Sequence, residues 1–336
     1  MEAQESSLKL IIQIPCLNEE LTLPATLAEL PRQIDGVDEI EILIIDDGSQ
    51  DRTVTVAREL GADHVYRHTT NQGLGRAFRT GLDNALKLGA DVIVNTDGDG
   101  QYHGGDIPKL IAPILEGTAD IVIGDRQTAN STEFSFSKKC LQRMGSYVVR
   151  SASGTNVPDA VSGFRAISRK AALRLNILTK FSYTIEMIIQ AGNKQMTIVS
   201  VPIRTNAKTR ESRLFKSIPH FVGHQLVGMV RMYAMYRPMR FFFYLGTLLS
   251  LVGAIPILRF LISYFSGDGA GNIQSLVLGG ALMTMGFTVF VTGLLSDLIS
   301  QNRQLNEITL EKIWEMQLGE QDADDSVSES RAARGK

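Results

Sequence analysis

Two stretches near the C-terminal end carry no charged side chain. Phe241 to Leu258 is the first, continuing past Arg259 to about Phe265, and Ile273 to Ser296 is the second. As helices rising 1.5 Å per residue, each spans roughly 30–37 Å, enough for a hydrocarbon core of about 30 Å. The competing reading is a pair of buried core helices, which are usually shorter than these runs. The linker Ser266-Gly-Asp-Gly-Ala-Gly-Asn272 is glycine-rich and lacks Lys and Arg, whereas Arg231, Arg237 and Arg240 precede the first run and Arg303 follows the second. The positive-inside rule then puts both ends in the cytoplasm and the linker outside. Arg259 lies near the outer end, where its long side chain can snorkel. The expected location is the cell membrane, multi-pass, with the larger part of the chain cytoplasmic.

Before these runs the sequence alternates short apolar runs with helical patterns, as an α/β protein does. Strands are expected at Leu8–Ile14, Ile40–Ile45, His64–Arg67, Asp91–Asn95 and Ile121–Ile123, and helices at about Glu20–Gln33, Asp51–Leu60, Gly73–Leu88 and Gly105–Gly117. Such short apolar strands suit a mostly parallel sheet covered on both faces. Residues 213–239 mix apolar and basic positions as amphipathic helix, lying in the membrane interface or against the α/β part. The division expected is therefore 1–212, an α/β domain; 213–239, amphipathic juxtamembrane helix; 240–299, two membrane helices; and 300–336, an amphipathic helix with a disordered tail from Gly319.

Composition removes other classes. The chain is 44% apolar, too much for a disordered protein, and its 34 basic and 36 acidic side chains give a net charge of -2. That lacks the basic excess of a general nucleic-acid binder. Cys16 and Cys140 are too few for a disulfide scaffold and read as free thiols. Met1 to Ser7 is polar and acidic, unlike a secretory signal.

Ligands of open α/β sheets sit beyond the carboxyl ends of the strands, so these ends carry the functional argument. After the first comes Pro15-Cys-Leu-Asn-Glu19, where Asn18 can cap a helix and Pro15 can stop the strand. After the second come Asp46 and Asp47 in Asp46-Asp-Gly-Ser-Gln-Asp51. Buried charge needs a partner, so one of them is expected to meet polar ligand groups. Asn71-Gln-Gly-Leu-Gly75 opens a helix and suits either anion binding or tight helix–sheet packing. After the fourth strand, Asp97-Gly-Asp-Gly-Gln101 sets two carboxylates one glycine apart. They can converge on a hard cation, Mg²⁺ or Mn²⁺, that neutralises a diphosphate; an ordinary Asp-Gly turn is the plain alternative. A calcium loop is excluded because Pro108 takes the twelfth position.

These segments occur in order with Gly124-Asp-Arg126, Asp159-Ala-Val-Ser-Gly-Phe-Arg165, Phe181-Ser-Tyr-Thr-Ile-Glu186, Val201-Pro-Ile203 and Arg210-Glu-Ser-Arg213. Together they resemble the family 2 inverting glycosyltransferases that include dolichyl-phosphate mannose synthase and bacterial polyprenyl-phosphate glycosyltransferases. The resemblance covers roughly residues 8–235, and the two apolar runs resemble those of membrane-anchored members. It implies a GT-A fold and transfer of a hexose from a nucleotide sugar to a polyprenyl phosphate, with Mg²⁺ or Mn²⁺ as cofactor. It implies that Pro15, Leu17, Glu19, Ile45 and Asp47 line the nucleotide pocket, and that Asp97, Gly98, Asp99 and Gln101 fall where relatives hold the cation and donor diphosphate. Arg126 matches an arginine near the reacting phosphates, and Lys208, Arg210 and Arg213 lie in a loop that closes on the donor in relatives. The usual serine-lysine pair there reads Ser212-Arg213, and Pro158 replaces an arginine common before Asp159, so the acceptor phosphate leans on Ser162, Arg143 and Arg126. Asp159 orients a basic side chain or the sugar, or caps a turn. Asp99, Arg126 and Asp159 are the expected catalytic set.

Two further readings compete. A processive polysaccharide synthase would carry a Gln-x-x-Arg-Trp motif, but the sole tryptophan, Trp314, follows isoleucine. A catalytically silent membrane-anchored binding protein would not need both carboxylates of the acidic pair. Neither the sugar nor the base follows from these motifs, and homo-oligomer formation is left open.

Overall fold

The computed structural model describes residues 7–127, 153–155, 157–177, 183–206, 230, 233–267 and 272–334. Two compact units divide the chain: Met1–His220 with Ile308–Lys336, and Phe221–Glu307.

The first unit contains strands β1 (Lys9–Cys16), β2 (Glu39–Asp46), β3 (His64–Arg67), β4 (Val92–Asn95), β5 (Ile121–Asp125), β6 (Arg165–Ser168) and β7 (Ile198–Pro202). Its helices are α1 (Leu23–Ala28), α2 (Thr53–Glu59), α3 (Leu74–Lys87), α4 (Ile107–Leu115), α5 (Arg169–Arg174) and α6 (Tyr183–Asn193), with a 3-10 turn at Gly104–Asp106. The strands form one sheet in the order β3-β2-β1-β4-β6-β5-β7. Four of the six pairings are parallel; only β6 runs antiparallel, to β4 and β5.

β1 sits inside the sheet because Leu10, Ile11, Ile12 and Ile14 are buried on both of its faces. Its one polar interior residue, Gln13, donates from Nε2 to Asn95 Oδ1 on β4 at 2.9 Å, while its buried Oε1 has no hydrogen-bond partner among the described residues. Helix α3 turns Ala77, Phe78, Leu82, Ala85 and Leu86 inward at helical spacing and lies on this sheet.

β3 has the expected bounds, and the other four expected strands shift by one or two residues at their ends. Three differences are larger. α1 is short, with a proline opening it, and Asn18 does not cap it: Asn18 adopts φ +55° and its Oδ1 accepts from Gln50 N at 2.8 Å. β6 was not expected, since Arg165-Ala-Ile-Ser168 has no apolar run; its burial comes from insertion between β4 and β5. Among the described residues β7 pairs only with β5, and its half-buried residues give no strong alternation.

The second unit contains α7 (Pro238–Phe265) and the first part of α8 (Ile273–Arg334). Both are long and apolar enough to cross a membrane. They meet through glycines spaced by seven: Gly246 and Gly253 on α7, and Gly279, Gly286 and Gly293 on α8. A Cβ on Gly286 would lie 2.9 Å from the Gly246 carbonyl oxygen, and one on Gly253 would lie 2.9 Å from Leu282 Cβ. Small residues that let two backbones approach are the usual basis of helix packing in lipid. Leu251, Ile255, Phe287 and Leu295 point outward and are mostly exposed. Gly253→Leu is expected to force the helices apart at an overpacking cost of about 1–3 kcal/mol. It would lower the melting midpoint in detergent, and an unchanged midpoint would contradict the close approach.

α8 continues as helix to Arg334, and no proline interrupts its hydrogen-bond ladder. Most of the expected amphipathic stretch 213–239 lies outside the described residues, of which 233–236 are helical.

Candidate active site

The carboxyl ends of β1, β2, β4 and β5 deliver the site. At the end of β2, Asp46 and Asp47 are both buried, and both are met by protein donors. Asp46 accepts from Ser49 N and pairs with Arg67 Nε at 3.1 Å. Asp47 Oδ1 meets His68 Nδ1 at 2.7 Å and accepts from Gln72 N at 2.9 Å, while Oδ2 accepts from Gly73 N at 2.8 Å. His68 Nε2 lies 3.0 Å from Thr80 Oγ1 on α3. Within the protein, Asp47 holds the Asn71–Gly75 turn against β2. Arg67 and His68 were missed by the sequence reading, although the strand-end rule applied to β3 would have found them.

Glu19 is buried, its Oε2 accepting from Thr22 Oγ1 at 2.6 Å, and Leu17 is half-buried beside it in sequence. Pro15 is buried within β1. Ile45 is wholly buried inside the sheet.

The acidic loop Asp97–Gln101 is held at several points. Thr26 Oγ1 on α1 donates to Gly98 O at 3.3 Å, and Gln101 N donates to Asp99 Oδ1 at 3.0 Å. Asn206 donates from Nδ2 to Gly100 O at 3.0 Å and from its backbone to Gln101 O at 2.9 Å. Asn206 Nδ2 also reaches the Glu29 carboxylate, which ties the loop to α1 and to the segment leaving β7. Beneath the loop, Asn95 Nδ2 donates to Gly163 O at 2.8 Å and Tyr102 OH accepts from Gly163 N at 2.8 Å. A Cβ on Gly163 would lie 2.9 and 3.0 Å from the two Asp97 carboxylate oxygens, so the acid rests in a space only glycine leaves.

Burial pushes the Asp97 carboxyl up to about 7, with the Asp99 charge adding to the shift and Arg126 opposing it. Among the described residues, no three His, Cys, Asp or Glu side chains cluster as metal ligands. The donor chemistry nevertheless fits Mg²⁺ or Mn²⁺, because such ions are commonly held by one or two carboxylates with substrate phosphates completing the shell. Asp97, Asp99 and the Gln101 amide supply hard oxygen donors of that kind.

The raised Asp97 carboxyl has a signed consequence. A divalent ion binds the deprotonated form. Mn²⁺ affinity is therefore expected to rise with pH up to about 7 and then level off, with a proton released on binding below that pH. Without metal, the native state holds this proton where the unfolded state, at the ordinary 3.8, has lost it. That group's contribution to stability thus falls as pH rises from 3.8 to about 7. Calorimetry in buffers of different ionisation heat reads the proton; pH-independent affinity without proton release would contradict the assignment.

At the end of β5, Arg126 forms a two-point ion pair with Asp159: Nε to Oδ2 at 2.7 Å and Nη2 to Oδ1 at 3.0 Å. Asp159 is 1% exposed. Burial lowers the Arg126 pKa, but the Asp159 hydrogen bond outweighs it and holds the guanidinium above its ordinary range. Of the alternatives for Asp159, orienting a basic side chain is the one seen. Arg165, fully buried, donates to the carbonyls of Ser162, Thr184 and Ala160 at 2.8–2.9 Å and so fixes the segment carrying Asp159. Burial lowers its pKa to about 10. Ser162 is also fully buried, and its Oγ has no hydrogen-bond partner among the described residues. Arg143, Lys208, Arg210, Arg213 and Cys140 lie outside the described residues.

The chain matches the profile of Glycosyl transferase family 2 over residues 11–175. It is 31% identical over 235 residues to the undecaprenyl-phosphate mannosyltransferase of Micrococcus luteus, covering 67% of this chain and 93% of that protein. It is 32% identical over 217 residues to the UDP-N-acetylglucosamine–dolichyl-phosphate N-acetylglucosaminyltransferase of Methanococcus voltae, covering 57% of this chain and 83% of that protein. Glucosyl-3-phosphoglycerate synthase from Mycobacterium tuberculosis, solved with Mn²⁺, UDP-glucose and phosphoglyceric acid, shares the fold at a TM-score of 0.53 and 20% identity, over 68% of this chain and 80% of that one. The fold is of the GT-A type, and the chain belongs to glycosyl transferase family 2. It is a glycosyltransferase.

Proposed function

We propose that this glycosyltransferase is anchored in a membrane and moves a hexose, with inversion, from a nucleotide sugar such as GDP-mannose or UDP-glucose to a polyprenyl phosphate of the undecaprenyl or dolichyl type. The observation that carries the reading is the strand-end constellation of Asp97, Asp99 and the Arg126–Asp159 pair. The relatives' acceptors support the lipid: one is named for undecaprenyl phosphate and another for dolichyl phosphate. Their sugars differ, so the hexose and the base rest on the test below.

Asp97, Asp99 and Gln101 would hold Mg²⁺ or Mn²⁺, which when bound neutralises charge on the departing nucleoside diphosphate. Arg126, locked in orientation by Asp159, adds a fixed positive charge beside the same loop. Lys208, Arg210 and Arg213 supply further cations for the donor, and Arg143 together with Arg126 the cations for the acceptor. Two anions must meet in this reaction, and these cations offset their repulsion. A phosphate monoester is mostly ionised near neutrality, its second pKa being about 6, so the nucleophile needs no general base. Attack from the face opposite the diphosphate inverts the anomeric carbon. The two apolar helices would hold the cleft at the bilayer surface, where the acceptor's head lies while its chain stays in lipid.

A panel of nucleotide sugars offered with short polyprenyl phosphates, with lipid products identified by mass spectrometry, tests this. One donor is expected to give a hexosyl phospholipid of inverted configuration. No lipid product across the full panel would contradict the reading.

A further inference from the structure

Tyr183, the first residue of α6, is 1% exposed and is none of the groups assigned to donor, acceptor or ion. Its ring is held on two sides. It stacks on Phe78 of α3 with centroids 4.0 Å apart, and the guanidinium carbon of Arg165 on β6 lies 6.0 Å from its centroid. A ring gripped by two packed elements keeps its hydroxyl in one place. That hydroxyl accepts from Asn95 Nδ2 at 3.0 Å, and Asn95 is anchored in turn to Gln13 on β1. The phenol is protonated near neutrality and so has a proton to give. Its hydrogen bond to the Gly163 carbonyl, at 3.5 Å, is a long one.

A stronger acceptor lies close by. A Cβ on Gly163 would lie 3.1 Å from the Tyr183 oxygen and 2.9 and 3.0 Å from the two Asp97 oxygens. Phenol and carboxylate therefore border one small space over Gly163. Gly163 is not among the glycines with positive φ, so its backbone alone would accept alanine. What its missing side chain provides is room for these two groups. The Gly163 peptide is itself pinned on both sides, its N–H by Tyr102 and its carbonyl by Asn95.

We propose that Tyr183 is a positioning residue for Asp97. Its fixed hydroxyl forms a polar wall of the space over Gly163 and keeps the carboxylate turned toward the divalent ion. Groups behind a metal ligand commonly set its orientation, and losing one costs about 10–100-fold in metal affinity. The inference rests on the metal role given to Asp97 and Asp99 in the proposed function.

Full-length protein in neutral detergent, titrated with Mn²⁺ in the presence of UDP or GDP and followed by electron paramagnetic resonance, measures the affinity without turnover. Tyr183→Phe keeps the ring on Phe78 and removes the hydroxyl. It is expected to weaken Mn²⁺ about tenfold or more. Gly163→Ala puts a carbon into the shared space and is expected to weaken the ion to a similar degree. Gly89→Ala is the control. Gly89 lies between α3 and β4, at the far end of β4 from the acidic loop, with φ +82° and nothing within 4 Å of a Cβ, so alanine there strains the backbone alone. It is expected to lower the melting midpoint and to leave Mn²⁺ affinity at the wild-type value. Wild-type affinity in folded Tyr183→Phe would overturn the proposal, even where Gly163→Ala fails to fold. Equal weakening in Gly89→Ala would overturn it too, by tracing the loss to stability. A wild type that binds no Mn²⁺ with either nucleotide would remove the metal role and this inference with it, whereas binding that is indifferent to Tyr183 removes this inference alone.

Discussion

Asp99→Asn is expected to reduce glycosyl transfer by about 10²–10³-fold while leaving the fold intact. Asparagine keeps the side-chain oxygen that accepts from Gln101 N, so the loop retains its shape. What it loses is one of two negative charges able to hold a divalent ion opposite a diphosphate. Mn²⁺ binding, followed by electron paramagnetic resonance, is expected to weaken in parallel, and the thermal midpoint to stay near that of the wild type. Near-normal turnover would remove Asp99 from the metal assignment.

Asp159→Asn is expected to act on stability and activity together. It leaves Arg126, whose side chain is 18% exposed, without the carboxylate it grips at two points. Removing one partner of a buried ion pair typically costs about 3–5 kcal/mol because the other charge is stranded. The residual exposure of Arg126 places this case toward the lower figure. Pairing Asp159→Asn with Arg126→Met separates the two effects. The double variant is expected to regain most of the stability, since no charge is stranded, yet remain far below wild type in transfer. Recovery of activity along with stability would show that the pair serves the fold alone. Denaturant titration and transfer rates on the same preparations make the comparison.

The sequence exposed some of this more readily than the rest, for physical reasons. Leu10-Ile-Ile-Gln-Ile14 announces an interior strand because both of its faces are covered, and that demands an apolar run. The bounds of β3 were legible from the turn residues around it. Asp97 and Asp99 stood out because strand ends are where such sheets place chemistry. The apolar runs of α7 and α8 follow from composition, but their glycine contacts do not, since heptad spacing leaves open which faces meet. Partners far apart in the chain were out of reach: His68 meets Asp47 across 21 residues, and Arg126 meets Asp159 across 33. β6 was missed for the same reason, because its place between β4 and β5 is set by tertiary pairing and not by its own four residues. Ile45 and Ser162 carry motif positions of the family yet are fully buried, a distinction that only packing reveals.

The most direct test of the whole account follows lipid-linked sugar formation by the purified full-length protein as divalent ion is withdrawn and restored, with the active donor and a polyprenyl phosphate present throughout. Product is expected to vanish in excess chelator and to return on addition of Mg²⁺ or Mn²⁺, with Asp99→Asn unresponsive to either. Undiminished transfer to the lipid in excess chelator would contradict the role given to Asp97 and Asp99.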